Sequence, residues 1–449
     1  MKIAIFTGTA TAPFMLHLGA ALAKRHEVVF VAYNQVAKAL VAKNQYRCLT
    51  NPNCFSVSPT EDQIKQYSPY YQRDLSVAKN FPLKTYTEKY LTSRCLKVEK
   101  WLSSLFAAEV IDGAVFYNGS FYLERIAKKC ADQSGISTAF LENGMFPDTA
   151  HIDPQGTNGY SEVVNLPPSE WQSISPNDAD RFVEECARSL RAWDGSTKSN
   201  SATNLHLLKS LSFLEKNKAR LKYLLHDVPE TAPEIITTIL QKISSMLKPR
   251  ARLKINFQTL LPENFAFLPL QVTNDSQFHA HSDWVKTPQQ SIIETYYALK
   301  SSRPELRLVV KPHPAELRHV SFNYIVEKYP EIIWVNQIPL DELILKSSLV
   351  ISVNSSVGFQ ALLLRKPVIC LGRSLYNKLG LAIQATDSPH LSTIITALAG
   401  SAQSIDAKFF LWFHKHYCSK YHRSCPTLDE IDEIALKILN LLFPKLPQL

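Results

Sequence analysis

The chain reads as an α/β protein with two Rossmann-like domains, a helical insertion between them and helices at the C-terminus. Strand-length apolar runs alternate with helical periodicity in the first third of the chain and again after residue 259. The strand runs lead into polar loops, and the stretch that separates the two halves is helical in pattern and broken by prolines. These observations divide the chain into 1–164, 165–258, 259–385 and 386–449. One large α/β domain with a helical cap is the other arrangement they allow.

In the first half, Lys2 to Thr7 has the pattern of a buried strand, Pro13 to Arg25 that of a helix, and Val28 to Tyr33 that of the next strand. A polar, aromatic and helical stretch follows from Glu61 to Leu105. Then come a strand at Val110 to Tyr117, a helix at Phe121 to Gln133 and a strand at Thr138 to Leu141. That strand runs into Glu142-Asn143-Gly144 and a loop rich in Asp, Pro and Gly extending to Gly159. Asn165 to Lys254 is helical in pattern, with Pro167-Pro168 and Pro229 as breaks. The second half has strands at Phe265 to Val272, Leu306 to Val310, Ile332 to Val335, Leu349 to Val353 and Pro367 to Leu371. Helices are expected at Gln289 to Lys300 and Gly358 to Arg365, and the last sixty or so residues are helical in pattern. Two such halves with a C-terminal helical segment match a GT-B-like layout, in which a ligand sits between domains at the carboxyl ends of the strands.

Composition narrows the class. The 449 residues are 45% hydrophobic, 10% aromatic and 20% charged, which supplies real cores and excludes a disordered or collagen-like chain. No self-similar period or homopolymeric tract occurs. The uncharged apolar runs are far below the roughly 20 residues that cross a bilayer, and the N-terminus reads as a first strand entering a turn rather than as a signal peptide. The eight cysteines include no Cys-x-x-Cys pair or His-spaced partner set, so the expectation is free thiols in a reducing cytoplasm, with no structural zinc.

The net charge of +9 points to anionic partners: nucleic acid, anionic lipid or an acidic small molecule. Between Lys209 and Lys254 there are ten Lys or Arg against four acids, with Leu207, Leu211, Leu214, Leu221 and Leu225 at helical spacing. This is a basic amphipathic pattern. It suits a solvated helix face packed on the domain, or contact with an anionic membrane surface.

Three polar clusters follow strands of the second half: Gln271 to Gln277, Lys311-Pro312-His313-Pro314 and Asn354-Ser355-Ser356-Val357-Gly358. The last puts two hydroxyls and a glycine at a helix start, where free N–H groups and the helix dipole bind an anion, although Ser is also a common cap. Lys311 and His313 leave a strand with prolines fixing the backbone on either side of the imidazole, a rigid way to present two donors to a phosphate. Asp275 and Glu142 are carboxylates at strand ends, one in each half. Such a pair serves glycosyl transfer as nucleophile and proton-transfer group, although acidic residues also cap helices. Asp178-Ala179-Asp180 is better read as capping than as a metal motif. No Walker loop or Gly-x-Gly-x-x-Gly supports a P-loop or NAD site.

In this order the clusters resemble the capsule polysaccharide synthesis family of bacterial Kdo transferases, most closely its KpsS-type members. The matching residues are Ala139 to Gly144, Gly156 to Ser161, Leu270 to Gln277 with His281, Lys311 to Pro314, and Asn354 to Gly358 with Ala361-Leu362; Leu375-Tyr376 and Gly380-Leu381 continue the match. The resemblance implies a GT-B enzyme that transfers Kdo from CMP-Kdo with retention, giving a β-linkage. Asp275 would be the nucleophile and Glu142 the acid/base. Lys311, His313, Asn354, Ser355, Ser356 and Gly358 would hold CMP, with Gly144, Asn158, Gln271, Asn274, Gln277 and His281 completing the substrate site. A single phosphate in the leaving group implies no metal cofactor. The implied partners are the nucleotide-sugar donor, an anionic lipid or glycan acceptor and the inner membrane surface, with no nucleic acid. A CMP-sialic acid-type transferase and a non-catalytic capsule export or assembly protein with a GT-B-like fold are the competing readings. The sequence departs from the family at Met145-Phe146-Pro147, where relatives often carry an arginine.

Overall fold

The computed structural model describes residues 1–50, 57–79, 87–192, 210–212, 214–216, 218, 255–272, 276–314, 322–378, 380–398, 405–422 and 426–444. Within them lie two sheets. The first holds β1 (Lys2–Thr7), β2 (Glu27–Ala32), β3 (Cys48–Thr50), β4 (Gly113–Tyr117), β5 (Ser137–Asn143) and β6 (Thr149–Asp153). The second holds β7 (Phe265–Pro269), β8 (Arg307–Lys311), β9 (Ile333–Trp334), β10 (Leu349–Ser352), β11 (Val368–Cys370) and β12 (Ile383–Gln384). A last strand, β13 (Cys418–Lys420), returns to the first sheet, whose order is β13-β6-β5-β4-β1-β2-β3. The second sheet is parallel throughout, in the order β12-β11-β10-β7-β8-β9.

The apolar runs form central strands because both faces of each sheet are covered. Ile3, Ala4, Ile5 and Phe6 of β1 are buried, as is all of β7. Phe6, Phe116 and Phe140 stack through β1, β4 and β5 at 4.5 and 4.8 Å between ring centroids. Helix Glu88–Glu109 starts where the Thr87 side chain accepts from the Tyr90 N–H and stops at Val110, which adopts φ 51°. The strand expected from Val110 therefore begins at Gly113.

Two departures from the sequence expectation shape the site. The loop expected after Glu142 contains β6, which pairs antiparallel with β5. Gly144 allows this hairpin: its N–H donates to the Thr149 carbonyl at 2.7 Å, and a Cβ there would stand 2.0 Å from Thr149 Oγ1. The C-terminal segment, expected as helices alone, crosses back to the first sheet. β13 pairs antiparallel with β6, and helix Leu428–Leu442 packs on β5, β6 and helix Ala12–Ala23. That last helix opens with a reciprocal cap between Thr427 and Glu430.

Helix Ser388–Ala397 packs on helix Pro288–Ser302 of the second domain. Helix Pro176–Ala192 lies against helix Ala407–Tyr417, sharing a core that includes Trp171, Phe409 and Phe413. Asp178 pairs with Arg181 one turn along the helix, and Asp180 with Arg365, distant in the chain. The basic stretch from Lys209 to Lys254 falls outside the described residues except at 210–212, 214–216 and 218. The cysteines seen, Cys48, Cys95, Cys130, Cys186, Cys370 and Cys418, are free thiols. Among the described residues no helix is long and apolar enough to cross a membrane.

Candidate functional site

Glu142 lies near the end of β5, partly buried, as an acceptor for three side-chain donors. Its Oε1 accepts from Asn118 Nδ2 at 2.8 Å; its Oε2 accepts from Asn158 Nδ2 at 2.9 Å and from Thr157 Oγ1 at 2.8 Å, whose single proton is shared with the Asn118 carbonyl at 2.5 Å. Two local features place these donors. β4 ends in Asn118-Gly119, which turn at φ 77° and 81°, backbone that Asn and Gly tolerate best. The loop after β6 is gathered by Asp153, whose fully buried carboxylate accepts from Ser161 Oγ at 2.5 Å and from the N–H groups of Gln155 (2.7 Å), Gly156 (3.0 Å) and Glu162 (3.2 Å). Asn158 itself sits at φ 55°.

The same loop meets the second domain. A Cβ on Gly159 would stand 2.5 Å from His281 Nδ1, so only glycine allows this approach. The Tyr160 ring lies 4.6 Å from the His281 ring, and the Arg125 guanidinium lies 4.0 Å from the Tyr160 centroid. His281 is fully buried, with no hydrogen-bond partner on either ring nitrogen among the described residues. Burial, reinforced by Arg373 and Arg125, pushes its pKa down to about 3, so the imidazole is neutral at any ordinary pH.

On the second domain, sheet order puts the strands that lead into the three polar clusters side by side, as one edge of a parallel sheet. β10 and β8 flank β7, so the segments that leave these three strands share one carboxyl edge. Gln271 and Asn354 are buried there, with Gln271 Nε2 3.5 Å from Asn354 Oδ1. Asn354 Nδ2 donates to the Arg373 carbonyl, whose own N–H donates to the His281 carbonyl. Ser355 caps helix Ser356–Leu363, its Oγ accepting from the Val357 N–H at 3.1 Å, while Ser356 is exposed in the first turn. The Tyr376 hydroxyl donates to the Ser355 carbonyl at 2.7 Å and leaves no room for a Cβ on Gly358, which would sit 2.7 Å from it.

Lys311 is less free than its motif implies. Its half-buried ammonium donates to the carbonyls of Asn336 (2.5 Å) and Ile338 (2.6 Å), and burial lowers its pKa. It braces β8 against the chain after β9. His313 is exposed beyond the strand end. Asn274 and Asp275 lie outside the described residues, as does the side chain of Gln277.

The structure thus gathers Glu142 with Asn158, and Gln271 with Asn354, His281 and the Ser355 cap. Gly144 serves the β5–β6 hairpin. Sequence reasoning gave no site role to Asn118, Asp153, Arg125 or Arg373, and held Tyr160 only as part of the Gly156 to Ser161 match. The signal for Asn118 was an Asn-Gly pair directly after a strand; for Arg125 no local signal exists, because its neighbours come from other elements.

The family described as "Capsule polysaccharide biosynthesis protein" matches residues 117–421, which spans both halves of this site. Among curated relatives, "Protein FixF" of Sinorhizobium fredii is 26% identical over 64% of this chain and 54% of its own length, so this chain spans about half of that relative. "Capsule polysaccharide export protein KpsS" of Escherichia coli is 23% identical over 71% of this chain and 77% of its own. Among solved structures, the "beta Kdo 2,4 transferase" of Thermosulfurimonas dismutans KpsC is 16% identical, covering 73% of this chain and 88% of that one, with a TM-score of 0.40. A superposition that loose carries no conclusion about chemistry.

Proposed function

The chain belongs to the capsule polysaccharide biosynthesis protein family, and from that premise we propose that it is a retaining glycosyltransferase that moves Kdo from CMP-Kdo to an anionic lipid or glycan acceptor. The observation that carries the reading is the Glu142 cluster. A carboxylate at the end of β5 is held as an acceptor by Asn118, Thr157 and Asn158, and the loop that carries Thr157 and Asn158 touches His281, next to the edge where Gln271, Asn354 and the Ser355 cap converge.

In this reading the Asp275 carboxylate attacks the anomeric carbon of Kdo, the bond from that carbon to the phosphate oxygen breaks, and CMP departs. The acceptor hydroxyl then attacks the same carbon, Glu142 takes its proton, and Asp275 is released. Two inversions give net retention. CMP is a stable phosphate leaving group, so the chain has more need of a base than of an acid, and Glu142 already acts as a hydrogen-bond acceptor. The N–H groups at the start of helix Ser356–Leu363, with His313 and Arg373, would neutralise the phosphate, and no metal is required. Chelation with EDTA is accordingly expected to leave turnover unchanged. We place the protein in the cytoplasm, peripheral at the inner membrane face, which flotation with anionic liposomes tests.

The deciding experiment is transfer from freshly made CMP-Kdo to a fluorescent lysophosphatidylglycerol and, separately, to a Kdo-terminated glycan, read by mass spectrometry with Asp275→Asn alongside. A Kdo adduct in wild type only supports the donor and the role of Asp275 together, and the anomeric configuration of the adduct by NMR tests retention. Preference for a CMP-sialic acid donor would change the sugar. A folded chain inert with every donor and acceptor would overturn the catalytic reading and favour the export role named for the Escherichia coli relative.

A further inference from the structure

A cavity of about 660 Å³ opens beside the Glu142 cluster, between helix Tyr122–Gln133 and the loop that follows β6. Gly119 and Tyr160, neighbours of Asn118 and Asn158, both line it, so the cavity and the carboxylate share their two loops. The helix turns its apolar residues Ile126, Ala127, Cys130 and Ala131 inward and presents Arg125, Lys128 and Lys129 to this space.

These three cations differ in what holds them. Lys128 is paired with Asp132, and Lys129 with Glu99. Arg125 has no carboxylate partner among the described residues. Its guanidinium is placed by ring faces alone, 4.0 Å from Tyr160 and 5.6 Å from Tyr70, and its Nε is buried without an acceptor. A half-buried guanidinium with no carboxylate against it favours an anion, and an oxyanion in the cavity would supply one. The acids on the wall are already engaged: Asp132 by Lys128, and Glu162 by the Tyr417 hydroxyl at 2.6 Å.

We propose that this cavity is the acceptor subsite, in which Arg125 grips an oxyanion of the acceptor, the phosphate of a glycerophospholipid headgroup or the carboxylate of an acidic sugar, and so delivers the acceptor hydroxyl to Glu142. The proposal rests on the transferase reading above. The planar guanidinium fits either oxyanion through paired N–H donors, and its stacking on Tyr160 fixes the fork before the ligand arrives.

The test uses the full chain, wild type, Arg125→Ala and Arg125→Lys, with melting temperatures as the control for folding. sn-Glycerol 3-phosphate and the methyl glycoside of Kdo are titrated calorimetrically, and CMP separately. Arg125→Ala is expected to weaken one of the two anionic probes about 10- to 100-fold, with Arg125→Lys in between and CMP affinity within about twofold. The probe affected identifies the source of the oxyanion. In turnover, the acceptor KM rises by a similar factor while kcat changes little. Undiminished binding of both probes, or a parallel loss of CMP affinity, would overturn the assignment. Because the titration needs no turnover, a chain that binds the probe through Arg125 but transfers nothing would sink the transferase reading and leave the anion site standing.

Discussion

Glu142→Gln separates the architecture of the site from its chemistry. In the wild type Oε1 takes one donor and Oε2 takes two. Gln keeps its oxygen on the side of Thr157 and Asn158, so those two bonds survive as neutral ones. Its amide group then faces Asn118 Nδ2, donor against donor. Asn118 cannot simply flip, since its Oδ1 already accepts from the Ser120 N–H at 3.0 Å. Two bonds weakened from charge-assisted to neutral and one lost amount to about 1–3 kcal/mol, allowing for partial solvent access. For a domain of this size that lowers the melting temperature by roughly 2–10 °C. Removing a general base costs far more in rate, about 10²- to 10⁴-fold. The assay is Kdo transfer by folded Glu142→Gln, with CMP affinity and the thermal transition measured on the same preparation. Turnover within tenfold of wild type would refute the base assignment. A transition lowered far beyond that range would show that the carboxylate is mainly structural.

Three further expectations follow from the geometry. Asp153→Asn points an amide at the donors that the carboxylate gathers, so stability should fall by about 2–4 kcal/mol and transfer should drop because the loop holding Thr157 and Asn158 loosens; denaturation and activity unchanged from wild type would contradict this. Gly358→Ala drives a methyl against the Tyr376 hydroxyl at 2.7 Å and Ser352 Oγ at 2.9 Å, at a cost of about 1–3 kcal/mol, with CMP binding weakened through the Ser355 cap; calorimetric CMP affinity equal to wild type would count against a nucleotide site there. His281 titrates about 3 in the fold and near 6.5 unfolded, so below pH 6.5 the unfolded chain binds a proton that the folded chain refuses. Its contribution to stability is complete above that pH and is lost as pH falls toward 3. Between pH 8 and pH 5 the loss is about 2 kcal/mol; urea denaturation of His281→Asn should lack this slope, and identical slopes in both proteins would show that the imidazole is not buried neutral.

By itself the sequence determined the class and the places of the buried strands, while ends such as Val110 and Val272 moved by about three residues, to Gly113 and Pro269. Buried parallel strands are continuous apolar runs, so Lys2–Thr7, Phe265–Pro269 and Leu349–Ser352 could be read locally, and the polar residues just beyond them marked the edge proposed for the donor. What only the tertiary structure decided is which edges meet. That β10 and β8 flank β7, that β13 returns to β6, and that Arg125 and His281 both pack on Tyr160 all depend on pairings between residues far apart in the chain. The same distance hid the role of Lys311, whose partners are carbonyls beyond β9, and of Asp153, whose charge is spent on gathering its own loop. A local pattern reports what a residue buries. Its partners are set by sheet order and loop closure, which no window of the sequence contains.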